Sequence, residues 1–151
     1  MTEQTEYYVL VLRFFHPSFD PKNISDLLKL KPDIYWKEGE QAKTPSGRLL
    51  DFRRKESFWS YCMHGEGKKF SDKIGDIVRI MSPHKNFIHH LIDDGGRVNL
   101  YLQLPGSINI GDSLTPDILA GISELKAGLD IEVFPDFQEN EQHGDGKKRA
   151  E

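Results

Sequence analysis

The chain has 151 residues, a formal net charge of −4, 37% apolar and 11% aromatic residues, and one cysteine, Cys62. That length fits one domain, and that apolar content builds a real core, which excludes a globally disordered chain. No apolar run reaches the roughly 20 residues that span a bilayer, Met1–Glu6 is too acidic for a secretory leader, and a lone cysteine forms neither an internal disulfide nor a thiolate metal cluster.

A soluble protein of the reducing cytoplasm is therefore expected. The charge is uneven. Lys31–Lys73 holds ten Lys/Arg against seven Asp/Glu, whereas between Asp93 and Asp145 only Arg97 and Lys126 are basic amid many carboxylates. Such an acidic third repels phosphate backbones and favours basic partners, so nucleic-acid binding is not expected.

Tyr7–Phe15 is aromatic and β-branched, apolar at both parities, and reads as a central strand covered on both faces. Asp20-Pro21 provides an N-cap and a proline at N1 for a short helix through Ile24, Leu27 and Leu28, stopped at Lys31-Pro32. Asp33–Lys37 suits a short strand carrying Trp36, and residues 37–50 read as a long functional or mobile loop. Leu49–Arg53 and Ser57–His64 are expected to pair as strands, with a turn at Gly65-Glu66-Gly67.

Ser71 is expected to cap a helix through Ile74, Ile77, Val78 and Met81. Ser82-Pro83 interrupts it, and Phe87, Ile88, Leu91 and Ile92 continue to Gly95-Gly96. Arg97–Leu104 alternates, with Val98, Leu100, Leu102 and Leu104 inward. Thr115-Pro116 caps a third helix through Ile118, Leu119, Ile122 and Leu125, closed by Gly128; Leu129, Ile131 and Val133 then point inward from a last strand.

This order predicts an α+β fold: one mostly antiparallel or mixed sheet, helices packed mainly on one face, and a βαββαβ-like core extended by a further helix and strand. Residues 1–137 form the single domain, and 138–151 a disordered acidic and polar tail.

Four segments carry a family resemblance: Asp20-Pro21 with Leu27–Pro32, Trp36–Glu40, Phe58-Trp59 before the long helix, and Leu129–Val133 after a helix that ends in Gly128. In order and spacing they resemble a bacterial family known as a domain of unknown function, numbered 4279, over about Tyr7–Phe134. The resemblance implies an α+β fold, assigns no reaction and transfers no catalytic residue.

Candidate chemistry is thin. His84, His89, His90, Asp93 and Asp94 lie on or near one helix, and His89/Asp93 and His90/Asp94 are i,i+4 pairs. Yet His89 and His90 point about 100° apart, so the four cannot converge on one ion. Cys62 and His64 share a strand face, away from the helix N-terminus that a catalytic thiolate prefers. Gly65–Lys69 is glycine-rich and basic before a helix, but lacks the Walker spacing. Asp72/Asp76 and Glu38/Glu40 are paired carboxylates with no mark of burial. No catalytic residue, metal or cofactor is assigned.

The sharper candidate is a face. Helices on one side leave the other side of the sheet bare, and Trp36, Trp59 and Tyr101 are the residues expected there, rimmed by the Glu38–Gly47 loop. A non-enzymatic binding module follows, self-associating as a homodimer or engaging a basic protein partner, with an immunity-type role as the narrower form. The alternative is a small-ligand site or enzyme between the 37–50 loop and the sheet, with Glu38, Arg54, Trp59 and His64 as its residues.

Overall fold

A computed structural model describes residues 7–135. The first strand, β1 (Val9–His16), alternates strictly between buried and half-buried positions. Its even-numbered side chains, Leu10, Leu12 and Phe14, enter the core. It is central, paired antiparallel with β5 (Ser57–His64) on one side and β6 (Arg97–Pro105) on the other. The expectation of cover on both faces does not hold. Val9, Val11, Arg13 and Phe15 are only half-buried, and no second layer covers them among the described residues.

Helix α1 (Pro21–Leu28) starts as the sequence predicts: the Asp20 carboxylate accepts from the Lys22 N–H at 3.0 Å. It ends at Leu28, ahead of Lys31-Pro32, because Lys29 turns left-handed at φ 56°.

The chain between 37 and 50 is not a plain loop. Strand β2 (Ile34–Trp36) pairs with β5, and beyond it β3 (Gln41–Lys43) pairs antiparallel with β4 (Leu49–Arg53). Backbone bonds Gly39 N–H to Arg54 C=O (2.9 Å) and Arg54 N–H to Glu40 C=O (2.8 Å) join the two ladders into one projecting arm. The expected pairing of β4 with β5 is thereby replaced: β4 takes β3, while β5 takes β1 and β2.

Helix α2 (Phe70–Met81) begins one residue before Ser71, with Lys69 at the N-cap and no side-chain cap of its own. Pro83 lacks the N–H that would continue it, so a 3₁₀ turn (Ser82–His84) intervenes before α3 (Lys85–Asp93). After β6, Thr115 caps α4 (Pro116–Glu124), its hydroxyl accepting from Ile118 N–H at 3.4 Å. Helix α4 ends four residues short of Gly128, which instead opens β7 (Gly128–Phe134).

The five-stranded sheet runs β2-β5-β1-β6-β7, antiparallel except for the β6–β7 pair. This is an α+β fold with a split βαββαβ core, to which α4 and β7 add a parallel strand. The core lies between the helices and one sheet face, built on Leu10, Leu12, Phe14, Trp59, Leu100 and Leu102 with Ile74, Ile77, Met81, Ile88 and Leu91. Among the described residues, no helix is long and apolar enough to cross a membrane.

Candidate functional site

Side chains alternate across a strand, so the face that turns its even-numbered β1 residues to the helices turns the odd-numbered ones away. Register places Phe58 beside Phe15, Tyr101 beside Val11, Asn99 beside Arg13 and Trp36 beside Phe58 on this open side. The rings form a ladder: Trp36 to Phe58 at 4.7 Å between centroids, Phe58 to Phe15 at 5.0 Å.

Arginines cover the rings. Arg54 lies 3.7 Å from the Trp36 centroid, Arg97 4.4 Å from Phe15 and Arg13 4.3 Å from Tyr101. A guanidinium stacked this way keeps in-plane N–H groups free to donate while its flat surface is desolvated against the ring. Arg13 uses its donors on Asn99 Oδ1 (3.0 Å) and Asp130 (2.9 Å), and Arg97 reaches Glu56 at 3.4 Å. Tyr101 donates to Glu132; that bond, with partial burial and the Glu132 charge, raises its hydroxyl pKa against the pull of Arg13. Trp36 Nε1–H donates to the Glu56 carbonyl at 3.0 Å, which fixes the indole on the face.

Of the expected binding residues, Trp36, Arg54 and Tyr101 are therefore part of the open side. Trp59 is not. It lies at the opposite parity, fully buried, edge-on to Phe14 at 5.5 Å and donating to Ser25 Oγ of α1 at 2.9 Å. Glu38 is exposed at the root of the arm, tied by its N–H to Ser57 Oγ at 3.0 Å. Arg13, Arg97 and Phe58 escaped the sequence reading; the signal for Arg13 was a charge set in the middle of an otherwise apolar strand.

The family model for the domain of unknown function DUF4279 matches residues 5–134. The chain belongs to this family. No curated protein and no solved structure matches it. The arginine–aromatic face thus falls entirely within the DUF4279 domain.

The other candidates have structural partners. Burial, and then the Asp33 charge, push the Cys62 thiol up, and its sulfur stands 3.9 Å from His64 Nε2, an arrangement that disfavours a thiolate nucleophile. The anion place at the start of α2 is filled by the chain itself: Asp112 accepts from Ser71 N–H at 3.1 Å. Lys68 pairs with Asp76, and Lys73 with Glu66. Asp76 is held below the usual carboxylate value by the Lys68 hydrogen bond, against some burial, with help from Arg79. Glu40 accepts from Lys37 N–H at 2.6 Å.

His89 and Asp94 of the candidate cluster are likewise engaged. His89 Nε2 lies 2.5 Å from the Glu124 carbonyl, and Asp94 stands 3.0 Å from His16 Nε2. His16, a buried residue that sequence reasoning passed over, accepts from Ser18 and Phe19 N–H at Nδ1 (3.0 and 2.8 Å), so Nδ1 holds the β1–α1 turn while Nε2 ties β1 to the end of α3 through Asp94. Among the described residues no group of three or more His, Cys, Asp or Glu side chains could hold a metal ion.

Proposed function

We propose that this DUF4279 chain is a non-catalytic binding module that engages a protein partner, or a second copy of itself, through the open face of its sheet. The observation that carries the reading is the unbroken ladder Arg54–Trp36–Phe58–Phe15 with Arg13–Tyr101 beside it, half-buried and backed by no second layer among the described residues. Rigid aromatic and arginine side chains concentrate binding free energy at protein interfaces, because they cover large areas at low entropic cost. The acidic C-terminal third supports a narrower form, an immunity-type protein of the bacterial cytoplasm that neutralises a basic effector.

The test is light scattering coupled to size exclusion on the full chain and on Trp36→Ala/Tyr101→Ala, with capture of a basic protein encoded nearby. Association or capture that the folded variant loses supports the face. A folded variant that retains both sinks the reading.

One observation favours a second reading. A cleft of about 480 Å³ between the arm and the sheet edge is lined by Tyr35, Trp36, Glu40, Gln41 and Arg54. Its size and single guanidinium suit a small carboxylate ligand. Thermal-shift screening with carboxylic acids distinguishes it: stabilisation abolished by Arg54→Ala but kept in Tyr101→Ala, which lies outside the cleft, would put the site in the cleft rather than on the face.

A further inference from the structure

Strand β2 sends its side chains to both sides of the sheet. Trp36 joins the open face, but Tyr35 pairs in register with Trp59 and so lies on the helix side. Trp59 is buried there against Ser25 of α1, whereas Tyr35, one strand further out, is 64% exposed. Between its ring, α1 and the base of the arm lies a second cleft of about 380 Å³, within the roughly 300–1,000 Å³ of small-ligand sites.

Three lysines line this cleft: Lys22 from α1, Lys31 from the segment after it, and Lys37 where the arm begins. None of their ammonium groups enters an ion pair among the described residues. Two carboxylates stand among them, Asp20 and Glu40. Each already accepts a backbone N–H, Asp20 from Lys22 at 3.0 Å and Glu40 from Lys37 at 2.6 Å, and each keeps a second oxygen for a further bond. Ser25 also lines the cleft; its oxygen accepts from Trp59 Nε1–H at 2.9 Å, which leaves the hydroxyl hydrogen to donate.

We infer that this cleft binds a nucleoside phosphate. The ammonium groups are mobile point charges suited to phosphate oxygens. The spare carboxylate oxygens accept from sugar hydroxyls, as an acidic side chain does in dinucleotide sites. The exposed Tyr35 ring gives a base a face to stack on. A bare inorganic anion would meet the two carboxylates with nothing to donate to them, and an uncharged nucleoside would leave the lysines unpaired. The cleft shares only Tyr35 and Glu40 with the one beside Arg54, and none of its lysines belongs to the open face. Register also sets it apart from both described ends of the chain. Val9 faces His64 and Gln103, and Phe134 faces Pro105, at one end of the sheet, whereas Asp20 follows His16 at the other.

The test is calorimetric titration of the full chain with ADP, pyrophosphate and adenosine, backed by NMR mapping of backbone amides. ADP is expected to saturate one site, about tenfold tighter than either of the others, to weaken with added salt, and to shift amides 22, 25, 31, 35 and 37. Lys31→Gln/Lys37→Gln changes two exposed side chains, so it should leave the melting temperature of the free protein in place while weakening ADP about tenfold. Tyr35→Ala should weaken ADP but not pyrophosphate, and Arg54→Ala should leave ADP binding intact. The inference is overturned if ADP fails to saturate at millimolar concentration, the result also expected if another part of the chain fills the cleft. Pyrophosphate or adenosine binding as tightly as ADP overturns it too, as does undiminished binding by the lysine variant. Should that variant not fold, the wild-type amide map decides, and shifts that fall outside the cleft reject the site.

Discussion

Arg54 and Trp36 stack at the point where the sheet passes into the arm, the guanidinium 3.7 Å from the indole centroid, while Arg54 also donates to the Lys43 carbonyl at 3.3 Å. One side chain thus ties β3 to the aromatic ladder. Arg54→Ala is expected to lower stability by about 0.5–1 kcal/mol and to shift Trp36 fluorescence. Urea unfolding followed by tryptophan emission, in a Trp59→Phe background that isolates Trp36, checks both.

The two sheet faces should respond differently to truncation. Trp59→Ala removes a fully buried indole and leaves Ser25 without its donor, at a cost of about 3–5 kcal/mol. Tyr101→Ala, half-buried on the open side, should cost about 1 kcal/mol. Denaturant midpoints of the two variants decide this: equal losses would mean that the face carries as much of the fold as the core does.

Stability should fall in acid through two identified carboxyls. Burial tends to raise Asp112, but hydrogen bonds from Ser71 and from the Ser113 amide, with the Lys69 charge, hold it below the ordinary 3.8; Asp76 is depressed chiefly by Lys68. A folded-state value below the unfolded one gives stability that is present above 3.8 and lost as pH falls through the folded value. Asp112→Asn is expected to flatten the decline of the urea midpoint between about pH 5 and pH 2. At neutral pH it should cost about 1 kcal/mol through the weakened cap on α2.

Gly96 follows the end of α3, and a methyl group there would meet the Leu91 carbonyl at 2.7 Å and the Phe15 carbonyl at 2.8 Å. Both are backbone atoms and cannot rotate aside. Gly96→Ala should therefore destabilise by about 1–3 kcal/mol. Gly39→Ala, which meets nothing within 4 Å and bears only the strain of a φ of 88°, should cost less in the same thermal melts.

Much of this was legible in the residues. The alternation of Val98, Leu100 and Leu102 located β6 and its buried side, Asp20-Pro21 marked the start of α1, and Ser82-Pro83 broke the long helix, because each signal is local. The arm was legible only in part. Leu49–Arg53 is the strand expected, but its partner Gln41–Lys43 is three residues long, too short for a hydrophobic period to mark it as a strand. Trp59 was misplaced for a different reason. In Ser57–His64 both parities carry apolar side chains, and only the pairing of Phe14 with Trp59 tells which parity faces the helices. The true partner of the α2 start, Asp112, lies far along the chain from Ser71, where no cap motif could reveal it. The expected tail at 138–151 lies outside the described residues.

The position of β1 has a kinetic consequence. Val9 faces His64 on one side and Gln103 on the other, so the strand made earliest has no local partner. Loop closure must precede both ladders, which places folding toward the slower, millisecond-to-second regime of non-local sheets. During synthesis the apolar residues of β1 must wait, uncovered, until β5 and then β6 have been made, and that interval is when the nascent chain is most exposed to aggregation.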